Sequence, residues 1–319
     1  MNLALYLLFF AIGLALIIKG SDWFVDATIW VARTLSIPEF IIGATLVSIC
    51  TTLPELLVST GAALNNDTSM ALGNAVGSVA CNTGLILGMV IFFSPPPMHH
   101  RKALRLKSIF ISACLVVYII ISMAFGEISR MFGIIFILLS FSFVFYNYYE
   151  ARKYKESLVV IPVSDKSRKT VIRNILMFTI GLGMTIAGAR LMVIYGEKIA
   201  VSLGVPSIVI GVTMTALGTS LPELMTAITA IRKKASAISV GNIFGANILN
   251  LTLVLGGASV IKPVITDGRI ISFHLPIILF ITLIATASTV IFKKKYPRYI
   301  GVALLASYLS YMTATAFLA

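Results

Sequence analysis

Apolar residues run along this chain in blocks of about 18 to 26, broken by short polar stretches. Ten such blocks fall at about 2–19, 39–64, 70–93, 106–125, 130–148, 173–195, 205–230, 236–260, 271–292 and 299–317. Each is close to the roughly 20 residues a helix needs to cross a bilayer. A membrane β-barrel would alternate polar and apolar residues within short segments, and no such alternation is present. The pattern predicts an all-α integral membrane protein with ten transmembrane helices. The first block lacks a basic start and a small-x-small cleavage site, so it is expected to stay as a helix of the mature chain rather than act as a signal peptide.

The blocks repeat. Sliding the chain along itself by 168 positions aligns 38–88 with 206–256 without a gap, and 17 of the 51 positions are identical. The shared residues include Gly43/Gly211, Thr45/Thr213, Pro54/Pro222, Glu55/Glu223, Gly73/Gly241, Asn74/Asn242 and Asn82/Asn250. Five helices per half is an odd number, so the second half enters the membrane upside down. The expected organisation is two inverted-topology repeats of five helices, 1–148 and 173–319, joined by a linker at 149–172. Such repeats place a site near the bilayer midplane, at their interface.

Composition agrees: 58% of the 319 residues are hydrophobic and only 12% charged, with a mean hydropathy of +0.99. The formal net charge of +13 raises the question of a nucleic-acid partner. Its distribution answers it. The odd-numbered loops and their flanks hold 19 Lys and Arg residues, from Arg33 to Arg298, and the even-numbered ones only four, Arg130, Lys198, Lys262 and Arg269. Positive charge collects on the cytoplasmic side. The charge therefore reads as topology: a multi-pass protein of the cell membrane, linker in the cytoplasm, both termini outside. Its surroundings are the lipid bilayer, and no nucleic acid is expected. Cys50, Cys81 and Cys114 lie in apolar blocks at unpatterned spacing and read as buried small hydrophobes.

Two short stretches carry the chemistry. "CTTLPELLVS" (50–59) and "GTSLPELMTA" (218–227) each set a proline and a glutamate inside an apolar block. Of the twelve carboxylates, only Glu55 and Glu223 lie deep within such a block. A carboxylate at the bilayer centre costs about 2.5–3.5 kcal/mol on insertion scales, and a bound cation offsets that cost. A proline inside a helix removes one N–H and crowds the carbonyl four residues earlier, so Pro54 and Pro222 loosen the carbonyls around Thr51 and Thr219. Thr51 and Glu55 share a helix face, as do Thr219 and Glu223, and the hydroxyls of Thr52 and Ser220 add oxygen. Carboxylates, carbonyls and hydroxyls are hard ligands suited to Ca²⁺ or Na⁺. The next helices bring "GNAVGSVACN" (73–82) and "GNIFGANILN" (241–250), in which Ser78 and Asn82 share one face. Their counterparts are Ala246 and Asn250. Two glutamates carry the countercharge of one Ca²⁺.

At these residues the chain resembles the cation/Ca²⁺ exchanger superfamily, in particular the prokaryotic Na⁺/Ca²⁺ exchangers and YrbG-type calcium/sodium antiporters. The duplicated "TTLPE…GNAVGSVACN" and "TSLPE…GNIFGANILN" signatures carry the match. The resemblance implies antiport of Ca²⁺ against Na⁺ by alternating access, with helices one and six sliding against the other eight. It implies Ca²⁺ ligands at Glu55, Glu223 and the carbonyls of Thr51 and Thr219. It implies Na⁺ ligands drawn from Ser48, Thr51, Thr52, Ser78, Ala216 (carbonyl), Thr219 and Ser220, with Asn82 and Asn250 lining the middle. An archaeal pattern of the family has serine where this chain has Ala246 and aspartate where it has Asn250. Those departures leave the Na⁺ stoichiometry open and disfavour K⁺ coupling.

Other classes of function fit less well. No His-Glu-x-x-His motif and no serine with a membrane-embedded histidine point to an intramembrane enzyme. A channel would ordinarily build a carboxylate ring from several subunits, whereas this chain completes a paired site alone and is expected to work as a monomer. Carboxylates that carry a metal can carry H⁺, so Ca²⁺/H⁺ antiport is the alternative. No cofactor is expected beyond the transported ions. Asn74 and Asn242 read as structural, bonding backbone near a helix start. Asp22 and Asp26 read as solvated caps at the end of helix one, His99 and His100 as a solvated turn, and His274 as a polar interface residue.

Overall fold

The computed structural model describes residues 3–96, 101–155, 167–204, 217–266, 268–293 and 295–318. Nearly all of them are helical. In chain order the helices are α1 (Leu3–Leu35), α2 (Glu39–Ile42), α3 (Ser48–Thr51), α4 (Leu53–Leu64), α5 (Thr68–Ala80), α6 (Gly88–Phe93), α7 (Arg101–Phe125) and α8 (Arg130–Lys155). They continue with α9 (Arg168–Ser202), α10 (Leu221–Arg232), α11 (Ser236–Leu249), α12 (Leu255–Ile261), α13 (Leu275–Ile291) and α14 (Arg298–Leu318). Among the described residues eight helical stretches are long and apolar enough to cross a membrane. A ninth is the bent run Glu39–Thr51 plus Leu53–Leu64, which turns by 40° at its break. The remaining expected span, 205–230, includes 205–216, which lie outside the described residues.

The centre of the bundle is formed by Thr68–Phe93 and Ser236–Ile261, whose apolar windows are 78% and 83% buried. These two carry the Gly-Asn signatures. Close approach there depends on glycine: a Cβ on Gly43 would collide with the Ile238 carbonyl, and one on Gly241 with the Phe40 carbonyl.

At the periphery α1 and α9 pair antiparallel. A Cβ on Gly20 would come within 2.7 Å of the Gly181 carbonyl, and one on Gly188 within 2.7 Å of the Gly13 carbonyl. These helices have 33 and 35 residues, about 50 Å each at 1.5 Å per residue. That exceeds a hydrocarbon core of about 30 Å, so they tilt or project beyond it. The apolar blocks at 2–19 and 173–195 understate both helices, because apolar length reports membrane depth and not helix length.

The same misreading affects Asp22 and Asp26. They are not end caps. Both lie within α1, and Lys233 reaches them at 3.8 and 2.7 Å. Ser21 and Thr229 join the same two helices through a 2.9 Å hydroxyl pair.

Loops gather as their parity predicts. At one end Glu127–Ile128 (β1) pairs with Val264–Ile265 (β2), Lys262 bonds Asn66 and Arg130 bonds the Ile261 carbonyl at 3.3 Å. These belong to the second, fourth and eighth loops and their flanks. At the basic end Arg101 donates to the Thr289 and Val290 carbonyls, in the last turn of α13. Cations are favourable at a helix C-terminus.

Candidate cation-binding site

Each glutamate stands at a helix start. α3 ends at Thr51 and α4 begins at Leu53, with Pro54 in its first two positions and Glu55 in its first turn. Proline fits there because that N–H has no intrahelical partner to lose. α10 repeats the arrangement with Pro222 and Glu223. The break therefore does two things. It puts a carboxylate beside the positive end of one half-helix, which favours the negative charge. It also brings the terminal carbonyls of α3 to the same break, a source of oxygen ligands at membrane depth.

Glu55 and Glu223 are fully buried, at 0% exposure, and lie near one another. All four of their carboxylate oxygens lack a hydrogen-bond partner among the described residues. So do both amide atoms of Asn82 and of Asn250, and the hydroxyls of Thr52 and Ser220. Those ten atoms are half of the twenty such buried polar atoms found among the described residues. An unsatisfied buried polar group costs about 1–3 kcal/mol, and more when charged. The concentration of ten of them on the repeated motif makes it the candidate site for a ligand that would satisfy them. Among the described residues no three His, Cys, Asp or Glu cluster, so the donors are two carboxylates among neutral oxygens.

The halves are clamped together around this point by two equivalent bonds. Thr51 donates to Asn242 Oδ1 at 3.1 Å, and Thr219 to Asn74 Oδ1 at 3.0 Å. Thr51 lies beside the Glu223 carboxylate, yet its hydrogen is committed to the asparagine, so its oxygen stays an acceptor. Asn74 also donates to the Glu55 carbonyl at 3.2 Å and to Ser59 Oγ at 2.8 Å. Its backbone bond was legible in the sequence; the clamp across the halves was not. Ser78 Oγ lies 3.4 Å from Thr219 Oγ1, which joins two expected ligands. Ser48 is buried, donates to the Thr45 carbonyl at 3.1 Å and faces Gly245, beside Ala246. Ala216 lies outside the described residues, as do His99 and His100. His274 bonds Tyr311 at 2.9 Å, the polar interface contact expected of it.

Two features had no sequence signal. The backbone widens into π-turns at Cys81–Leu87 and Asn250–Val254, each at its central asparagine; such bulges concentrate at functional sites. Cys81 lies next to Ser220, so a thiol borders the oxygen cluster.

A family model described as sodium/calcium exchanger protein matches residues 5–149 and 173–317. The inner membrane protein YrbG of Escherichia coli is 32% identical over 279 residues, covering 86% of this chain and 85% of its own. The sodium/calcium exchanger MaX1 of Methanosarcina acetivorans is 28% identical over 307 residues, covering 86% and 88%. Among solved structures, the sodium-calcium exchanger NCX_Mj soaked with Na⁺ and Sr²⁺ superposes with a TM-score of 0.84 at 27% identity, over 98% of this chain and 99% of that one. With two proline-led helix starts that each carry a buried glutamate and matches of this extent, the chain belongs to the sodium/calcium exchanger protein family.

Proposed function

We propose that this protein is a secondary antiporter that exchanges Ca²⁺ for Na⁺ by alternating access. The observation that carries the reading is the pair of fully buried glutamates whose four oxygens have no hydrogen-bond partner among the described residues. In this reading Ca²⁺ is held by Glu55, Glu223 and the carbonyls of Thr51 and Thr219. Na⁺ takes positions lined by Ser48, Thr51, Thr52, Ser78, Ala216, Thr219 and Ser220, and Asn82 and Asn250 face the middle. Two negative charges balance one Ca²⁺ or two Na⁺, so either load leaves the low-dielectric centre neutral. That equivalence is what lets the ions compete.

In this reading the protein crosses the membrane ten times, in two inverted halves, 1–148 and 173–319. Four observations support this. Gly13 meets Gly188 and Gly20 meets Gly181 on helices that run antiparallel, two contacts that the 168-residue shift exchanges. The Thr–Asn clamps are exchanged by the same shift. α4 and α10 have equivalent bounds. Left-handed backbone recurs at Ser36 and Gly204 and again at Asn66 and Lys234.

The decisive experiment is ⁴⁵Ca²⁺ uptake into proteoliposomes loaded with Na⁺, with K⁺, or with a pH step alone. Uptake is expected only with an outward Na⁺ gradient. Uptake driven by the pH step alone would establish Ca²⁺/H⁺ antiport instead, and uptake indifferent to all gradients a channel.

The 19-to-four basic asymmetry supports a linker 149–172 in the cytoplasm and both termini outside. A cysteine introduced in the linker should resist a membrane-impermeant maleimide in intact cells and react after permeabilisation. Labelling in intact cells overturns the orientation.

Ala246→Ser is expected to have a modest effect. It restores the hydroxyl that Ser78 supplies at the equivalent position of the other repeat, where it would face Na⁺ rather than the glutamates. Na⁺ should displace Ca²⁺ at about threefold lower concentration, with Ca²⁺ affinity in Na⁺-free buffer nearly unchanged, because oxygen count tunes how tightly a hard cation is held. Equilibrium titration decides it; unaltered Na⁺ competition removes position 246 from the site.

A further inference from the structure

Outside the ion site, two hollows open side by side on the surface of α8. One, of about 210 Å³, lies between α7 and α8, walled by Leu106, Phe110 and Leu139 with Ile248 of α11 among its lining. The other, of about 440 Å³, is bounded by Phe141, Phe145 and Tyr149. Ser142 and Tyr146 belong to both and form the ridge between them. The Ser142 hydroxyl makes no polar demand there, since it donates to the Leu138 carbonyl at 3.0 Å.

Lys107 also lines the first hollow, but its charge is already spent. It is 2% exposed and sits 3.2 Å from Glu150 Oε2, with the Phe40 ring 4.8 Å and the Tyr146 ring 5.7 Å away. Removing either ion from a pair this buried leaves the other uncompensated, so the pair acts as a fixed, neutral end to the hollow. The available charges lie just beyond it. Lys102 and Arg105 stand in the first turns of α7, and Arg152 and Lys153 near the end of α8; all four are exposed. None has an acidic partner among the described residues. Arg105 precedes the lining residue Leu106, and Arg152 follows Tyr149 by one turn.

We propose that this surface is a binding site for one anionic glycerophospholipid. Its two acyl chains lie in the two hollows astride the Ser142–Tyr146 ridge, and its phosphate and acidic headgroup lie among Arg105, Arg152 and their neighbours. The pairing of two apolar hollows with an unpaired basic cluster fits the two parts of such a lipid, as basic pockets between helices on the cytoplasmic side generally do. A neutral lipid would fill the hollows without using the charges. The site is independent of the ion site, though Ile248 lies two residues before Asn250, so the bound chain rests against a helix that carries an ion-site residue.

The test is native mass spectrometry of the detergent-purified protein incubated with equal amounts of dioleoyl phosphatidylglycerol and dioleoyl phosphatidylcholine. One phosphatidylglycerol should be retained about tenfold over phosphatidylcholine. The exposed double variant Arg105→Gln/Arg152→Gln should reduce that preference to near unity without altering folding. Ser142→Trp, which fills the ridge, should abolish retention of the bound lipid while the basic residues remain. Equal retention of the two lipids by the wild-type protein, or a preference untouched by both variants, means annular lipid only and overturns the site. Neither result bears on whether Ca²⁺ exchanges for Na⁺.

Discussion

Replacing Glu55 or Glu223 with glutamine should reduce Ca²⁺ transport by at least about a hundredfold while the protein still folds and inserts. Glutamine matches glutamate in shape and still offers one carbonyl oxygen, so the change isolates charge. In the wild type the two carboxylates balance a divalent ion. After the change a net positive charge is left in a fully buried site. Breaking a buried ion pair by removing one partner costs about 3–5 kcal/mol, which corresponds to about two to nearly four orders of magnitude in affinity. Stability should move the other way, because one costly buried carboxylate is gone. The two measurements together are diagnostic: ⁴⁵Ca²⁺ flux lost, thermal unfolding in Ca²⁺-free detergent unchanged or raised. Wild-type flux in either purified variant would falsify the proposed site. A loss of flux with aggregated protein would instead mark these glutamates as structural.

The expectation is symmetrical, and that is a further check. The halves present Glu55 and Glu223 in the same way, each in the first turn of a half-helix behind a proline. The two variants should therefore be of similar severity. The clamps are equally matched, 3.1 Å on one side and 3.0 Å on the other. Where the halves differ in sequence, at Ser78/Ala246, their effects should differ too.

The helical class, the repeat and the two glutamates were legible in the sequence because each rests on a strong energetic constraint. Apolar length is fixed by bilayer thickness. A duplicated carboxylate at membrane depth has no cheap structural explanation. What stayed hidden depends on weaker or longer-range effects. The polar residues "KGSDWFVD" suggested an end to the first helix near 19, yet α1 runs on to Leu35, and Lys233, 207 positions beyond Asp26, pairs with its aspartates. No local pattern announces such a partner. The π-turns at Cys81–Leu87 and Asn250–Val254 are equally silent, since these two stretches are buried on nearly every face and a shifted register leaves no mark in an apolar run. Asn74 and Asn242 looked like local backbone ligands; only folding shows them holding Thr219 and Thr51 of the opposite half. The Lys107–Glu150 pair joins residues 43 positions apart, a contact that no local pattern announces.

Asn250→Asp should change the site as strongly as the glutamine variants, in the opposite sense of charge. Both amide atoms of Asn250 are buried without a partner among the described residues, as are those of Asn82. Asn250 also opens a π-turn at the heart of the bundle. A carboxylate there adds a third negative charge to a centre that balances one Ca²⁺ with two. With the new group ionised, attraction for a divalent ion rises, since charge count is a principal determinant of Ca²⁺ affinity. With it protonated, the site returns to its original charge. Ca²⁺ affinity should therefore become steeply dependent on pH, at least about tenfold tighter than wild type at alkaline pH and approaching wild type as the medium is acidified. Transport should fall even where binding improves, because release must now overcome the extra attraction and the empty or Na⁺-loaded carrier is left with an unbalanced charge. Na⁺ should compete less effectively, as two monovalent ions no longer neutralise the centre. The measurement is Ca²⁺ binding to the purified variant across a pH series, alongside ⁴⁵Ca²⁺ exchange at the same pH values. If affinity and its pH dependence both match wild type, position 250 does not face the ion, and the middle of the site must be drawn without it.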